Sequence, residues 1–428
     1  MNSNKAPKPA KNIKPGNFKP LSVRLKNSVP LYVIQAGSQP VIRLDITFNA
    51  GSWYQSTPLA ASSVAAMLTE GTTRYNGKEI AEKLDYHGAY LNTSANRDNA
   101  FVTAYFLERH KNTIIPMLAE LIKDPVFPEH EFQVYKERRR QSFIIERSKV
   151  DNLAREKFTH LLYGPLHPYG QSLTSNDFDN ITREDLITFH SHHYIPANCS
   201  IIISGKYNED ELISIIDRSF GSPGPVPVID TDRNIPEKKP SQEKQVFIAK
   251  KDAVQSALRI GHELFNRAHP DYAGMMVLNN ILGGHFGSRL MQNIREKKGY
   301  TYGIGSAMVT LRNSGFFVIM SEVGTRYQKA SVKEIYKELD KLCSKPVSKK
   351  ELELNRAQMM GDILRGFDGP FAWGESIRNL TENGLDTDFY ERMTETILHI
   401  DPSQLLDLAE KYLLPGKMYE VVAGAEKV

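Results

Sequence analysis

The sequence predicts two related domains in tandem, each mixing helices with short strands, and three observations carry that expectation. The first is an internal repeat. Ile181 to Gly205 reads ITREDLITFHSHHYIPANCSIIISG, and Ile400 to Gly424 reads IDPSQLLDLAEKYLLPGKMYEVVAG. Aligned without a gap, Ile181, Leu186, Pro196 and Gly205 fall on Ile400, Leu405, Pro415 and Gly424, a constant offset of 219 residues. Both copies read as a helix, a proline-marked turn and an apolar strand running into glycine. A period this long indicates domain duplication, not a solenoid. Second, 428 residues with 40% hydrophobic content suffice for two substantial cores. Third, the stretch from Gly221 to Lys244 has the proline, glycine and charge of a linker. An N-terminal domain is therefore expected over residues 20–220, a linker over 221–244 and a C-terminal domain over 245–428. Residues 1–19, with lysines set among Pro and Asn, read as a disordered tail.

Composition excludes several function classes. The net charge of +4 is modest, and Arg138, Arg139 and Arg140 lie in a helix-like stretch from Glu131 to Phe158, where they read as a solvated face. No nucleic-acid partner is expected. Cys199 and Cys343 are the only cysteines, so no disulfide framework is implied. The tail has no apolar segment after its lysines, and no run approaches the roughly 18 apolar residues of a membrane span. The expectation is a soluble, cytoplasmic protein without a membrane partner.

Taken in order, Arg43 to Asn49 alternates Leu44, Ile46 and Phe48 as a half-buried strand, and a loop through Gly51 leads to Thr57 and Pro58. Thr57 can cap a helix with Pro58 at its first position and Gly71 beyond its end, which places a helix over Pro58 to Glu70. Tyr90 to Asn96 and Ala100 to Phe106 read as strands joined by a turn at Arg97 and Asp98. His190, His192 and His193 do not read as a metal cluster, because positions two and three apart on a helix diverge and their repeat counterparts are Ala409, Lys411 and Tyr412. In the second half, Asn279 to Leu290 is glycine-rich at 283, 284 and 287, which suits a helix end pressed against a neighbour. Ile294 to Tyr302 follows, with Arg295 seven residues before Tyr302. A guanidinium and a phenol aimed at one point can hydrogen-bond a carbonyl and stabilise charge developing on it.

These motifs resemble those of the pitrilysin/insulinase family of inverted zinc peptidases, in particular the short subunits related to mitochondrial processing peptidase. The resemblance runs from about Lys19 to Gly424. The family's His-x-x-Glu-His helix ends in a Met-Leu-x-x-Gly-Thr-like tail, which matches Met67-Leu68-Thr69-Glu70-Gly71-Thr72 and sets the motif over Ser62 to Ala66. Both histidines and the glutamate are missing: Ser62, Ala65 and Ala66 stand in their places. The family's third zinc ligand corresponds to Glu146, which alone cannot hold zinc and reads as a relic or an ion-pair partner. The family's C-terminal signature, by contrast, is matched by Gly283-Gly284, Ser288-Arg289-Leu290 and the pair Arg295 and Tyr302. The stretch from Leu162 to Gly170, where His160 and His167 flank Tyr163 and Gly164, resembles a family loop and reads as structural.

The resemblance implies two α+β domains, each a mostly antiparallel sheet with helices packed on one face, together enclosing half of a peptidase chamber. It implies a non-catalytic, substrate-binding subunit that lends Arg295 and Tyr302 to catalysis, with Phe286 and the strand residues Ser94 and Ala95 beside the substrate. No metal is expected in this chain. Zinc would belong to a catalytic partner subunit of the same family, and the substrates would be peptides or unfolded segments. The alternative is an inactive peptidase-like scaffold or binding protein. Self-association without the partner is left open.

Overall fold

The computed structural model describes residues 19–224 and 235–426, so the expected tail up to residue 18 and the middle of the expected linker lie outside the described residues. The chain divides into two compact units. The N-terminal unit comprises Lys19–Lys244 and Gly369–Leu385, and the C-terminal unit comprises Gln245–Asp368 and the residues from Asp386 onward.

The N-terminal sheet contains β1 (Leu21–Arg24), β2 (Pro30–Gln35), β3 (Val41–Phe48), β4 (Tyr90–Ala95), β5 (Ala100–Leu107) and β6 (Cys199–Gly205), in the order β1-β2-β6-β3-β5-β4. Only β2 and β6 run parallel. The C-terminal sheet contains β7 (Gln245–Ala249), β8 (Gln255–Leu264), β9 (Thr301–Thr310), β10 (Gly315–Gly324) and β11 (Tyr419–Gly424), in the order β7-β11-β8-β10-β9. Here only β7 and β11 run parallel. Strand for strand, the second sheet repeats β2-β6-β3-β5-β4 of the first, which is the α+β duplication that the repeat predicts. The repeat also reaches the hydrogen-bonding level. Helix Arg183–His193 opens on a reciprocal capping box of Thr182 and Asp185, and helix Pro402–Tyr412 on one of Asp401 and Gln404, at the same 219-residue offset.

Alternation along β3 decides which face of the N-terminal sheet is core. Ile42, Leu44, Ile46 and Phe48 join Val102, Ala104 and Phe106 of β5 against Val64, Ile114, Leu118 and Ile215 of the helices. The residues between them, Arg43, Asp45 and Thr47, are buried as well. They lie under helix Pro370–Glu382, a segment expected in the C-terminal domain but packed on β2, β3 and β6. The closeness of that packing shows at Gly374, where a Cβ would sit 2.9 Å from the Ser204 hydroxyl.

Charge fixes this helix in place. Asp45, 1% exposed, accepts from the Thr103 hydroxyl at 2.7 Å and from Arg43 Nη2 at 2.9 Å, and its other oxygen lies 2.6 Å from Arg43 Nε. From the helix, Glu375 meets Arg43 at 2.6 Å, Arg378 meets Asp45 at 3.3 Å, and Arg378 also pairs with Glu375 and Glu382. Arg43 Nη1 donates to the Phe371 carbonyl at 3.3 Å, and the Phe371 ring stands edge-on to Tyr105 at 5.5 Å. Burial alone would depress the Arg43 guanidinium, but Asp45 and Glu375 hold it above its ordinary value. The expected domain boundary is thus crossed because the helix from 370 supplies the countercharges that β3 buries.

Two local expectations are corrected. The helix expected over Pro58 to Glu70 spans Ala60–Met67, because Thr57 gives its hydroxyl to Asp185 at 2.8 Å and Leu59, at φ 74°, holds the cap position without a side-chain bond. The single helix-like stretch from Glu131 to Phe158 is two helices, Glu129–Arg147 and Val150–Tyr163, separated where Lys149 turns extended.

Removing one member of a buried ion pair strands the other's charge and costs about 3–5 kcal/mol. Asp45→Ala is expected to lower unfolding free energy by that order in denaturant titration. It should also speed amide exchange across 370–382 before the remaining core opens. A loss below about 1 kcal/mol with unchanged exchange would contradict this assignment.

Candidate functional site

The C-terminal unit assembles three of the expected site residues on one structural device. Helix Tyr272–Asn279 passes directly into a π-helical turn, Asn280–Gly284, and a second π-helical segment follows over Met291–Lys297. Such wide turns are rare and concentrate at functional positions. Gly283 explains the first: a Cβ there would lie 2.5 Å from the Ser306 backbone nitrogen, so only glycine lets this turn press against β9. The Asn280 side-chain amide ties the turn to Asn355 and Gln358 at 2.7 and 2.6 Å.

The second segment is held from both sides. Leu290 and Ile294 are fully buried, and Arg289 grips Glu351 through two bonds of 2.8 Å, holding that carboxyl below its ordinary range. Asn293 donates to Glu334 at 2.9 Å and Glu338 at 2.7 Å. Gly299, at φ 63°, then closes the turn: its N–H bonds the Arg295 carbonyl at 3.0 Å, and the Tyr300 N–H bonds the Ile294 carbonyl at 3.1 Å. The chain reverses into β9 and brings Tyr302 back beside Arg295.

The result is a cation between two rings. The Arg295 guanidinium lies 4.7 Å from the Phe286 ring centre and 5.4 Å from that of Tyr302. One of its nitrogens meets Glu296 at 3.3 Å. Tyr302 is 90% exposed and Phe286 60%, large apolar surfaces that the fold leaves uncovered within this unit. Tyr300 continues the patch, stacking on Tyr327 at 4.6 Å. The arrangement offers guanidinium N–H groups and a phenol O–H to a ligand carbonyl, from a turn whose backbone is held in place by its packing and hydrogen bonds.

The N-terminal unit holds the other expected residues on helix Ala60–Met67, on β4, against which that helix packs, and on helix Glu129–Arg147. Ser62 is half-buried and returns its hydroxyl to the Leu59 carbonyl at 3.0 Å, Ala65 is buried, and Ala66 is half-buried. None offers a nitrogen or carboxylate, so zinc does not fit these positions. Tyr135 of helix Glu129–Arg147 reaches the Ser62 carbonyl at 3.5 Å, and Glu146 stands eleven residues farther along that helix. That is about 16 Å of axial rise. There Glu146 pairs with Arg139 at 3.6 Å, consistent with the ion-pair reading. Among the described residues, no three His, Cys, Asp or Glu side chains converge as a metal site.

Ser94, exposed, and Ala95, half-buried, lie on β4, whose outer side is an edge of its sheet. His190 bonds the Ile122 carbonyl at 2.7 Å, and burial lowers its pKa. His167 accepts from the Tyr169 N–H at 3.2 Å and packs against Trp53 and Tyr163. Both histidines are parts of the packing. Sequence reasoning missed the two π-helical turns and the Arg289 to Glu351 clamp. The only signal for them was the density of glycine before Ser288.

Residues 32–166 match the family described as insulinase, peptidase family M16, and residues 180–359 match the peptidase M16 inactive domain. A zinc protease of Rickettsia felis is 25% identical over 348 residues, covering 80% of this chain and 82% of that one. The zinc protease YmxG of Bacillus subtilis is 24% identical over 337 residues, covering 76% and 80%. Among solved structures, a peptidase M16 inactive domain from Pseudomonas fluorescens superposes with a TM-score of 0.87 at 22% identity, covering 96% of this chain and 99% of that one. The periplasmic protease PqqL of Escherichia coli gives 0.77 at 14% identity, covering 98% of this chain but 46% of its own. No helix among the described residues is long and apolar enough to cross a membrane. The protein is a member of the M16, or insulinase, family of peptidases, of the kind that lacks the zinc-binding motif.

Proposed function

We propose that this chain is the non-catalytic, substrate-binding subunit of a two-chain zinc peptidase. A relative with an intact His-x-x-Glu-His helix supplies the zinc and the water-activating glutamate, and this chain contributes Arg295 and Tyr302 to the substrate carbonyl. The observation that carries the reading is the contrast between the two sites. The zinc positions have become Ser62, Ala65 and Ala66, while Arg295 is still held between Phe286 and an almost fully exposed Tyr302.

The chemistry requires such a pair. Zinc polarises a scissile carbonyl, and the tetrahedral intermediate also needs hydrogen-bond donors for its developing charge. Arg295 and Tyr302 are donors of the right kind, and Phe286 gives an apolar shelf beside them. The open edge of β4, with Ser94 outward, suits an extended peptide that pairs through its backbone. Peptides and unfolded segments are therefore the substrate class. PqqL, in which this fold accounts for 46% of the chain, leaves room for a second half in one polypeptide. The two-chain reading distributes such halves between subunits.

The competing reading is an inactive scaffold or binding protein. The contact between Arg295 and Glu296 favours it, because part of the guanidinium is satisfied within the chain. The uncovered phenol of Tyr302 favours the first reading, since a scaffold gains nothing by exposing it.

Purified alone, the chain is expected to retain no stoichiometric zinc after dialysis against a weak chelator and to cleave no peptide. About one zinc per chain by elemental analysis would falsify the assignment. In the assembled pair, Arg295→Ala or Tyr302→Phe is expected to lower kcat by roughly 10²–10³ while the partner keeps its metal. If the two residues only anchor the substrate backbone, the loss appears as a raised KM at constant kcat. Activity of the double variant within about twofold of the parent would leave the scaffold reading in place.

A further inference from the structure

The strand that carries Tyr302 is longer than its N-terminal counterpart, and the added residues are the ones that hold the tyrosine. β4 and β9 lead into hairpins of the same build: the Asn96 N–H bonds the Asn99 carbonyl at 2.8 Å, and the Leu311 N–H bonds the Ser314 carbonyl at 3.0 Å. Counted back from these turns, Ala95↔Ala100 matches Thr310↔Gly315, and the N-terminal ladder ends at Tyr90↔Tyr105, the equivalent of Gly305↔Met320. β4 has six residues and β9 has ten, so the added ones are Thr301 to Ile304.

This added stretch contains a β-bulge. Ile304 pairs with Ser321 and Thr301 with Val323, so Tyr302 and Gly303 together oppose Glu322 alone. Among the described strand pairs of both sheets, no other shows such a shift of register. The consequence is one of parity. Carried on without the extra residue, the register of Ile304 and Ser321 would set Tyr302 opposite Val323, which is 0% exposed, and turn its ring to the buried face with Ile304 and Ser306. The bulge gives Tyr302 to the side of Glu322 instead, where it stands exposed beside Arg295.

Two hydroxyls clasp the bulge. Thr301 Oγ1 lies 2.6 Å from the Glu322 carbonyl and 2.9 Å from that of Gly303, and it accepts from the Gly303 N–H at 3.1 Å. The buried Ser321 sets its Oγ 2.8 Å from the Gly303 carbonyl and 3.1 Å from Thr301 Oγ1. One proton on each hydroxyl serves this set, with Thr301 donating to Glu322 and Ser321 to Gly303. Bulges beside active sites re-aim a side chain. We propose that Thr301 and Ser321 are positioning residues for Tyr302: their hydroxyls fix the bulge that keeps the phenol off the buried face and beside Arg295. The bearing of this clasp on turnover rests on the reading of Tyr302 as a donor to substrate.

Fluorine NMR of the full chain with a fluorotyrosine at position 302 reports where the ring sits. Arg295→Ala defines the displacement of that signal when the cation leaves the ring. Thr301→Val, matched in shape but without the hydroxyl, is expected to reproduce about half of this displacement or more at an unchanged unfolding midpoint. Ser321→Ala is expected to act in the same direction and carries the test if Thr301→Val unfolds, while Thr301→Ser returns the parent signal. In the assembled pair, Thr301→Val is expected to lower kcat about tenfold or more at constant KM and constant partner zinc, and Thr301→Ser to restore it. A parent-like signal in both Thr301→Val and Ser321→Ala would overturn the proposal, as would full turnover of Thr301→Val where Tyr302→Phe is impaired. If Tyr302→Phe itself leaves turnover unchanged, the substrate-contacting reading fails, and the fluorine signal alone then supports or overturns the clasp.

Discussion

The N-terminal unit is organised around the carboxylate of Asp45. It lies on β3 at a position where alternation places a side chain beneath helix Pro370–Glu382, and it is met by Arg43 from its own strand and Arg378 from that helix. A carboxylate this buried persists only if it is compensated: Thr103 and the two arginines donate to its Oδ1, while Oδ2, without a hydrogen bond, lies in ion-pair contact with Arg43 Nε. The consequence is topological. Among the described residues the chain passes from one unit to the other at the linker and again on each side of the 369–385 segment, so two of these three covalent passages flank a helix held by a network of ions. Such networks often add little net stability compared with an apolar core, but they specify which helix docks and in what register.

Duplication gave the protein two copies of one device, and the two copies have diverged in opposite directions. In the first, the helix that follows β3 has become Ala-Ser-Ser-Val-Ala-Ala, small and largely buried, with its cap at Leu59 and its neighbour Tyr135 bound to backbone. In the second, the matching helix, Tyr272–Asn279, runs into a wide turn packed by Gly283 against β9, and the loop beyond it presents Phe286, Arg295 and Tyr302 outward. A site that only stabilised the fold would clamp its arginine on a carboxylate through two bonds and bury its tyrosine in the core, whereas Arg295 meets Glu296 through one contact of 3.3 Å and Tyr302 is 90% exposed. Arg289 and Glu351 do the first, and Tyr163 and Tyr169 do the second, so the fold had those solutions to hand.

Much of this was legible in the sequence, for identifiable reasons. The repeat from Ile181 and from Ile400 marked the same helix, proline turn and strand in both units, because the capping and turn chemistry that ends those elements is local. The β4 and β5 hairpin could be read from alternation and the turn at Asp98. The pairing of Arg295 with Tyr302 came from a resemblance to a family and not from spacing, since seven residues on a helix and seven across a turn look alike in one dimension. What was hidden is what depends on distant partners. Thr57 looked like a helix cap until Asp185, 128 residues away, took its hydroxyl. Helix Pro370–Glu382 looked like part of the second domain until the charges beneath it on β3 were in view.

The account stands most directly on what Tyr302 touches during turnover. A photo-reactive benzoylphenylalanine placed at position 302, in the chain assembled with its zinc-bearing partner and a substrate peptide held uncleaved by loss of the partner's catalytic glutamate, would report that contact. The account predicts crosslinking to the substrate residues that flank the scissile bond, competed away by unlabelled substrate. Crosslinking only to the partner's surface, unaffected by substrate, would contradict it.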